Sequence, residues 1–121
     1  MLVKYKSSFK KIAMGLLSFM PDLKDIKTLT ETINRYENED NWKLFLWKKD
    51  DDFVGVVGYI EREDGTILLE HVCVNPSYRS EGVGVQMVCT LEDRLDKSLI
   101  GNEKTEPFLN SCQSHRANME M

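Results

Sequence analysis

An arginine and two glycines stand close together in the stretch Arg79-Ser80-Glu81-Gly82-Val83-Gly84. The apolar run Thr66 to Val74 leads into it, and a helical stripe leaves it. A loop that joins a strand to a helix exposes the first backbone N–H groups of that helix. The helix dipole adds partial positive charge at the same place. Glycines let a ligand approach the backbone closely, and an arginine adds a charge-assisted contact. Together these parts suit a phosphate-bearing ligand. A tight turn uses the same Gly-x-Gly, so the surroundings have to decide between the two.

Two polar residues, Glu70 and His71, interrupt the run that precedes this loop. On strict alternation Leu68, Glu70, Val72 and Val74 point one way, and Ile67, Leu69, His71 and Cys73 point the other. Both sets are largely apolar, which predicts a strand covered on both sides and central in its sheet. A carboxylate in such a place needs a partner or a task.

The elements that must hold these residues can be read along the chain. Met1 to Lys6 is a short strand candidate. Phe9, Ile12, Ala13, Leu16, Leu17 and Met20 recur at helical spacing, and Pro21 stops that helix. The lysines ahead of this apolar run invite a signal-peptide reading. The run from Ile12 to Met20 is too short to span a bilayer and lacks a clear small-residue cleavage site, so a packed amphipathic helix is expected. Asp22 is placed to cap a second helix whose buried stripe is Leu23, Ile26, Leu29, Ile33 and Tyr36. Three strands follow, 43–48, 53–60 and 66–74, joined by short polar turns into an antiparallel meander. A helix from about 83 to 97 carries Met87, Val88, Leu91 and Leu95. "SLI" reads as one more strand, 103–112 as a last helix, and the tail from about 113 as frayed.

Composition narrows the class. At 121 residues the chain suits one domain with a single core. The formal net charge of −4 argues against a nucleic-acid partner, although a local pocket can still be positive. Cys73, Cys89 and Cys112 are widely spaced, which fits neither a disulfide framework nor a zinc site and suggests a reducing compartment, the cytosol. No metal-ligand spacing is present, and no membrane span is expected. Trp42, Phe45, Trp47, Phe53 and Tyr59 read as packing for the meander, with a ring-binding cleft as the alternative.

The P-loop pattern GxxxxGK[ST] and the dinucleotide pattern GxGxxG are both absent. What is present, from Val74 to Gly84, is "VNPSYRSEGVG". Its Arg79, Gly82 and Gly84 resemble motif A of the GNAT superfamily, the GCN5-related N-acetyltransferases, in which Arg or Gln is followed by two residues, Gly, one residue, then Gly or Ala. The order of elements is similar too. The resemblance implies a mixed α/β sheet of the acyl-CoA N-acyltransferase fold, short at its C-terminus, with the last two strands missing. "YKSSFKKIAMGLLSFMPDLKDIK" and "LFLWK" further resemble the RibT family, acetyltransferase-like proteins encoded in riboflavin operons of Gram-positive bacteria.

What the resemblance implies can be placed on this chain. The backbone of Val72, Cys73 and Val74 would pair with the pantetheine arm of acetyl-CoA. The loop Arg79, Ser80, Glu81, Gly82, Val83 and Gly84 would hold the pyrophosphate. A backbone N–H near Cys73 or Val74 would polarise the thioester carbonyl. Glu70 is the candidate general base, directly or through water, against a structural pairing with a lysine or arginine across the sheet. His71 reads as a satisfied core histidine. The family often has Gly-Lys where this chain has Ser80-Glu81, which brings an anion toward the pyrophosphate. It often has a tyrosine on the last helix where this chain offers Phe108, with Ser111 or Cys112 as substitutes. The implied activity is direct transfer of acetyl from acetyl-CoA to the primary amine of an unidentified small molecule or protein. The alternative is a non-catalytic acyl-CoA-binding module. A homodimer is plausible because a short sheet leaves edges to cover.

Overall fold

The computed structural model describes residues 1–112, with the backbone alone for Arg79 and Ser80. The tail expected to fray lies outside the described residues. Five strands form one sheet in the order β1-β2-β3-β4-β5: β1 Leu2–Lys4, β2 Trp42–Lys49, β3 Asp52–Glu61, β4 Ile67–Val74 and β5 Leu99–Gly101. β1 to β4 run antiparallel to their neighbours, and β5 pairs parallel with β4. The helices are α1 Lys10–Leu17, α2 Ile26–Asn38, α3 Val83–Leu95 and α4 over 106–112.

The sheet separates two apolar layers. On one side Ala13, Leu16 and Leu17 of α1 and Leu29, Ile33 and Tyr36 of α2 meet Leu44, Leu46 and Val56. On the other, Met87, Val88 and Leu91 of α3 and Leu109 of α4 meet Phe45, Val57, Tyr59 and Leu69. Full burial of a leucine- or valine-sized side chain contributes about 1.5–3 kcal/mol, so these layers hold the helices in place. The aromatic residues serve that packing: Phe45 stacks on Tyr59 at 6.2 Å, and Phe9 meets Phe53 at 4.9 Å.

Two expectations at α2 are corrected. Asp25, not Asp22, is the N-cap, its Oδ2 accepting from the Thr28 N–H at 3.2 Å. Asp22 sits earlier, in the 3-10 turn Pro21–Leu23, and its carboxylate goes elsewhere. Ile26, expected in the buried stripe, is 69% exposed, because as the first helical residue it projects past the packed face.

β4 also differs from simple alternation. Its pairing with β3 runs Val57↔Val72 and Gly58↔His71, then jumps to Tyr59↔Leu69. Glu70 is the extra residue of a β-bulge, which switches the facing of the chain. Ile67 and Leu69 therefore belong to the α3 layer, and so do Val72 and Val74. Cys73 packs in the α1/α2 layer, and His71 turns to Tyr36 of α2. The four residues expected on one face are split between two.

Candidate active site

The anion-binding loop is built from the sheet outward. Asn75 N–H donates to the Val54 carbonyl at 2.8 Å, and Asn75 Oδ1 accepts from the Ser77 N–H at 3.0 Å, opening a 3-10 turn over Pro76–Glu81. Gly82 ends that turn at φ 73°, ψ 16°, in the left-handed region that favours glycine. A Cβ built there would meet nothing within 4 Å, so its role is conformational and the space beside it is open. α3 starts at Val83 without a side-chain cap, leaving its first N–H groups to donate to a ligand oxygen. Gly84 has a different role. A Cβ there would stand 2.8 Å from Cζ of Phe108, so its bareness admits the phenyl ring of α4.

These pieces line a cleft of about 430 Å³. One wall is Val72, Cys73 and Val74 of β4; another is Gly82, Gly84 and Val85 at the start of α3. Phe19, Met20 and Pro21, between α1 and α2, close a third side, and Phe108 enters from α4. β5 pairs with β4 only at Ile67, Leu68 and Leu69. From Glu70 onward, the edge of β4 turned away from β3 has no strand beside it among the described residues. The cleft is therefore lined by a half-open sheet edge and a helix N-terminus.

Glu70, the bulge residue, is half-buried, and its Oε2 accepts from Asn102 Nδ2 at 3.2 Å. Among the described residues its hydrogen-bond partner is thus an amide from the turn after β5, where a lysine or arginine across the sheet was the alternative expected. That turn is tightly tied. Asn102 Oδ1 accepts from the N–H of Lys104 at 2.8 Å and of Thr105 at 2.9 Å. The Thr105 hydroxyl donates to the Leu69 carbonyl at 2.8 Å. Lys104 reaches Asp22 in an ion pair. Its hydrogen bond holds the Asp22 carboxyl below the usual range, and the same bond raises Lys104.

His71 is buried, and the Tyr36 hydroxyl lies 2.5 Å from its Nδ1. Burial lowers the His71 pKa to about 4, against a smaller opposing pull from Asp22. Burial also pushes Tyr36 well above its ordinary value. Tyr36 therefore keeps its proton and His71 is neutral. One hydrogen bond joins the hydroxyl and Nδ1, with its direction set by the tautomer of the ring.

The remaining loop residues divide. Glu81 does not line the cleft; its carboxylate pairs with Lys49 at the end of β2, and that bond raises Lys49. Val83 is buried in the α3 layer, so the group it offers is its backbone. Arg79 and Ser80 have their backbone in the 3-10 turn, and their side chains lie outside the described set. Sequence reasoning placed Tyr36 in a buried stripe, as the structure does, but missed its bond to His71, the 102–105 turn and the closing of the cleft by Phe19–Pro21. Asn102-x-x-Thr105 is a turn-forming spacing that signals the second of these; the other two had no local signal. Among the described residues, no group of three or more His, Cys, Asp or Glu is placed to hold a metal ion.

A strand edge that parts from its neighbour beside an uncapped, glycine-entered helix suits an extended ligand that carries a phosphate. Residues 12–115 match the acetyltransferase (GNAT) family, and this chain belongs to that family. It is 46% identical over 114 residues to an "uncharacterized N-acetyltransferase in lysA 3′ region" of Bacillus methanolicus, spanning 93% of this chain and 95% of that one. Its fold is similar to AAC(6′)-Iy bound to a bisubstrate analog, with TM-score 0.74, 15% identity, and 97% and 87% of the two chains covered. It is also similar to the aminoglycoside 6′-N-acetyltransferase AAC(6′)-IG from Acinetobacter haemolyticus, with TM-score 0.72, 14% identity, and 97% and 88% covered. The protein is an N-acetyltransferase of the GNAT type, and such enzymes use acetyl-CoA.

Proposed function

We propose that the chain transfers acetyl from acetyl-CoA to the primary amine of a small molecule or protein by direct attack in a ternary complex. One observation carries the reading: the open edge of β4 at 72–74 and the uncapped N-terminus of α3 line the same cleft. When bound, acetyl-CoA supplies the acyl group as a thioester. The backbone groups of Val72, Cys73 and Val74 pair with its pantetheine arm, which lies where a neighbouring strand would. The N–H groups from Gly82 to Gly84, with Arg79, Ser80 and Glu81 in the turn before them, bind the pyrophosphate. An N–H near Cys73 or Val74 donates to the thioester oxygen. Glu70 takes a proton from the acceptor amine, directly or through water, as the C–N bond forms; the C–S bond breaks and coenzyme A leaves as a thiolate that takes a proton from water. Phe108 supplies only an apolar surface.

The test pairs calorimetry with turnover. Saturable acetyl-CoA binding is expected for the wild type and loss of it for folded Gly82→Val. Glu70→Gln is expected to keep cofactor binding and to lower turnover by about 10²-fold or more, a typical general-base contribution. No binding at millimolar cofactor would sink the assignment of the cleft.

A second reading is a non-catalytic acyl-CoA-binding module. It is favoured by Phe108, which has no hydroxyl to return a proton, and by the engagement of Glu70 with Asn102. Turnover unchanged in Glu70→Gln with a genuine acceptor would remove Glu70 as base.

The wider setting is also proposed. The likeness of the N-terminal segments to the RibT family supports a link to riboflavin biosynthesis. The cysteine spacing supports a cytosolic site of action, and the acidic balance supports a protein without a nucleic-acid partner. No described helix is long and apolar enough to cross a membrane. The whole chain acts as one domain, and the sheet edges leave room for a homodimer.

A further inference from the structure

Three residues from three elements meet beneath the bulge, on the α1/α2 side of the sheet. His71 is the first residue past Glu70, and its Nδ1 is hydrogen-bonded to the Tyr36 hydroxyl of α2 at 2.5 Å. Gly58 of β3 is the Cα partner of His71 across the ladder. A Cβ at Gly58 would stand 2.1 Å from the Tyr36 hydroxyl oxygen and 2.5 Å from its Cζ. The phenol ring thus occupies the space that any other residue at 58 would need.

We propose that Tyr36, acting through His71 and the notch at Gly58, is a positioning residue that fixes where β4 bulges, and with it the aim of Glu70 and the open edge beyond. This rests on the reading of the cleft as the acyl-transfer site. Burial specifies register only where a one-residue slip would carry apolar side chains out to solvent. In β4 the odd-numbered residues 67 to 73 are all buried, so apolar burial alone does not say which residue is extra. The polar pair does. With the bulge at Glu70, the imidazole stands opposite Gly58 and meets the hydroxyl. Moved by one residue, so that His71 is extra, Glu70 stands opposite Gly58 and presents a carboxylate toward the phenol. The hydroxyl and the imidazole then lose each other, and an unmatched buried polar group is strongly unfavourable. The neutral imidazole and the protonated phenol are the states this bond requires. Among groups near the ring, Tyr36 comes from α2, Asp22 from the turn before it, and Lys104 from the turn after β5.

The test is residue-resolved amide exchange on the full chain, with acetyl-CoA titration beside it. In Tyr36→Phe, exchange at 69–72 is expected to rise about tenfold or more, while Met87 to Leu91 of α3 stays within about twofold. His71→Gln offers an amide oxygen to the phenol and should stay near wild type, whereas His71→Leu should behave like Tyr36→Phe. Acetyl-CoA affinity should follow the same order, falling about fivefold or more in the two disrupted variants. Unchanged exchange at 69–72 in Tyr36→Phe, or identical behaviour of His71→Gln and His71→Leu, would overturn the proposal. Should Tyr36→Phe not fold, the two His71 variants carry the same contrast. A wild type that binds no acetyl-CoA would overturn the reading of the cleft, yet the exchange comparison needs no cofactor and would still decide what sets the bulge.

Discussion

The hydroxyl of Thr105 donates to the carbonyl of Leu69 at 2.8 Å, immediately before the bulge in β4. The same oxygen accepts from the Asn102 N–H at 2.9 Å, and Asn102 in turn donates to Glu70. A buried threonine thus ties the turn after β5 to the strand that carries the proposed base. Thr105→Val keeps the volume and removes both bonds. It should lower stability by about 1–3 kcal/mol in urea unfolding, the effect of stranding a buried carbonyl. Thr105→Ser should recover most of the loss.

His71 predicts a pH dependence of stability. Its folded pKa, about 4, lies below the ordinary 6.5 of an unfolded histidine. Between these values the unfolded chain binds the proton and the folded chain does not, so stability falls as pH drops from 6.5 toward 4. The full effect is about 3 kcal/mol and is absent above the unfolded value. Unfolding free energies measured across this window should show the slope in the wild type. His71→Gln should flatten it; an equal slope in that variant would place the titration elsewhere.

Gly84 and Phe108 should be energetically coupled. Gly84→Ala places a methyl 2.8 Å from the Phe108 ring and should destabilise by about 1–3 kcal/mol through overpacking. In a Phe108→Leu background the same substitution should be close to neutral, a coupling of about 0.5–3 kcal/mol in a thermal-unfolding cycle. Gly82→Ala should show no such rescue. Its penalty of about 1–2 kcal/mol comes from the left-handed backbone, not from a neighbour.

Glu81 stands just before Gly82, and its carboxylate pairs with Lys49. Both groups are exposed, so breaking the pair should change stability by less than about 1 kcal/mol. Acetyl-CoA affinity should respond more clearly. Lys49→Ala releases an anion beside the phosphate-binding turn and should weaken binding a few-fold at low salt. Glu81→Ala should tighten it, and added salt should shrink both effects.

Sequence pattern made the strands of the meander readable, because their apolar runs end at turn residues such as Asp50 and Gly65, both at positive φ. α3 was equally plain: Met87, Val88 and Leu91 share one face and are buried. The bulge was not readable, and the reason is physical. Ile67, Leu69, His71 and Cys73 are all buried, so their spacing imitates a straight strand although they cover opposite sides of the sheet. The cap of α2 was misplaced because Asp22 and Asp25 both precede the apolar stripe, and only the 3-10 turn at Pro21 separates their roles. At the site, the glycine loop announced itself through local spacing. Tyr36 and His71 lie 35 residues apart, and each passes alone for ordinary core, so their bond becomes visible only when α2 crosses β4.

β5 leaves β4 after three paired residues, and the five that follow, 70–74, form a sheet edge with no strand on one side among the described residues. Bare edges are sticky, since their N–H and C=O groups template whatever strand comes near. A cofactor lying along this edge would act as a removable sheath. Supply of that small molecule would then govern more than turnover: a well-fed cell keeps the molecule dispersed, and a starved one leaves it prone to clump with its own kind. Because anything that binds only the native state also shifts unfolding by mass action, metabolic plenty would lengthen the working life of the polypeptide.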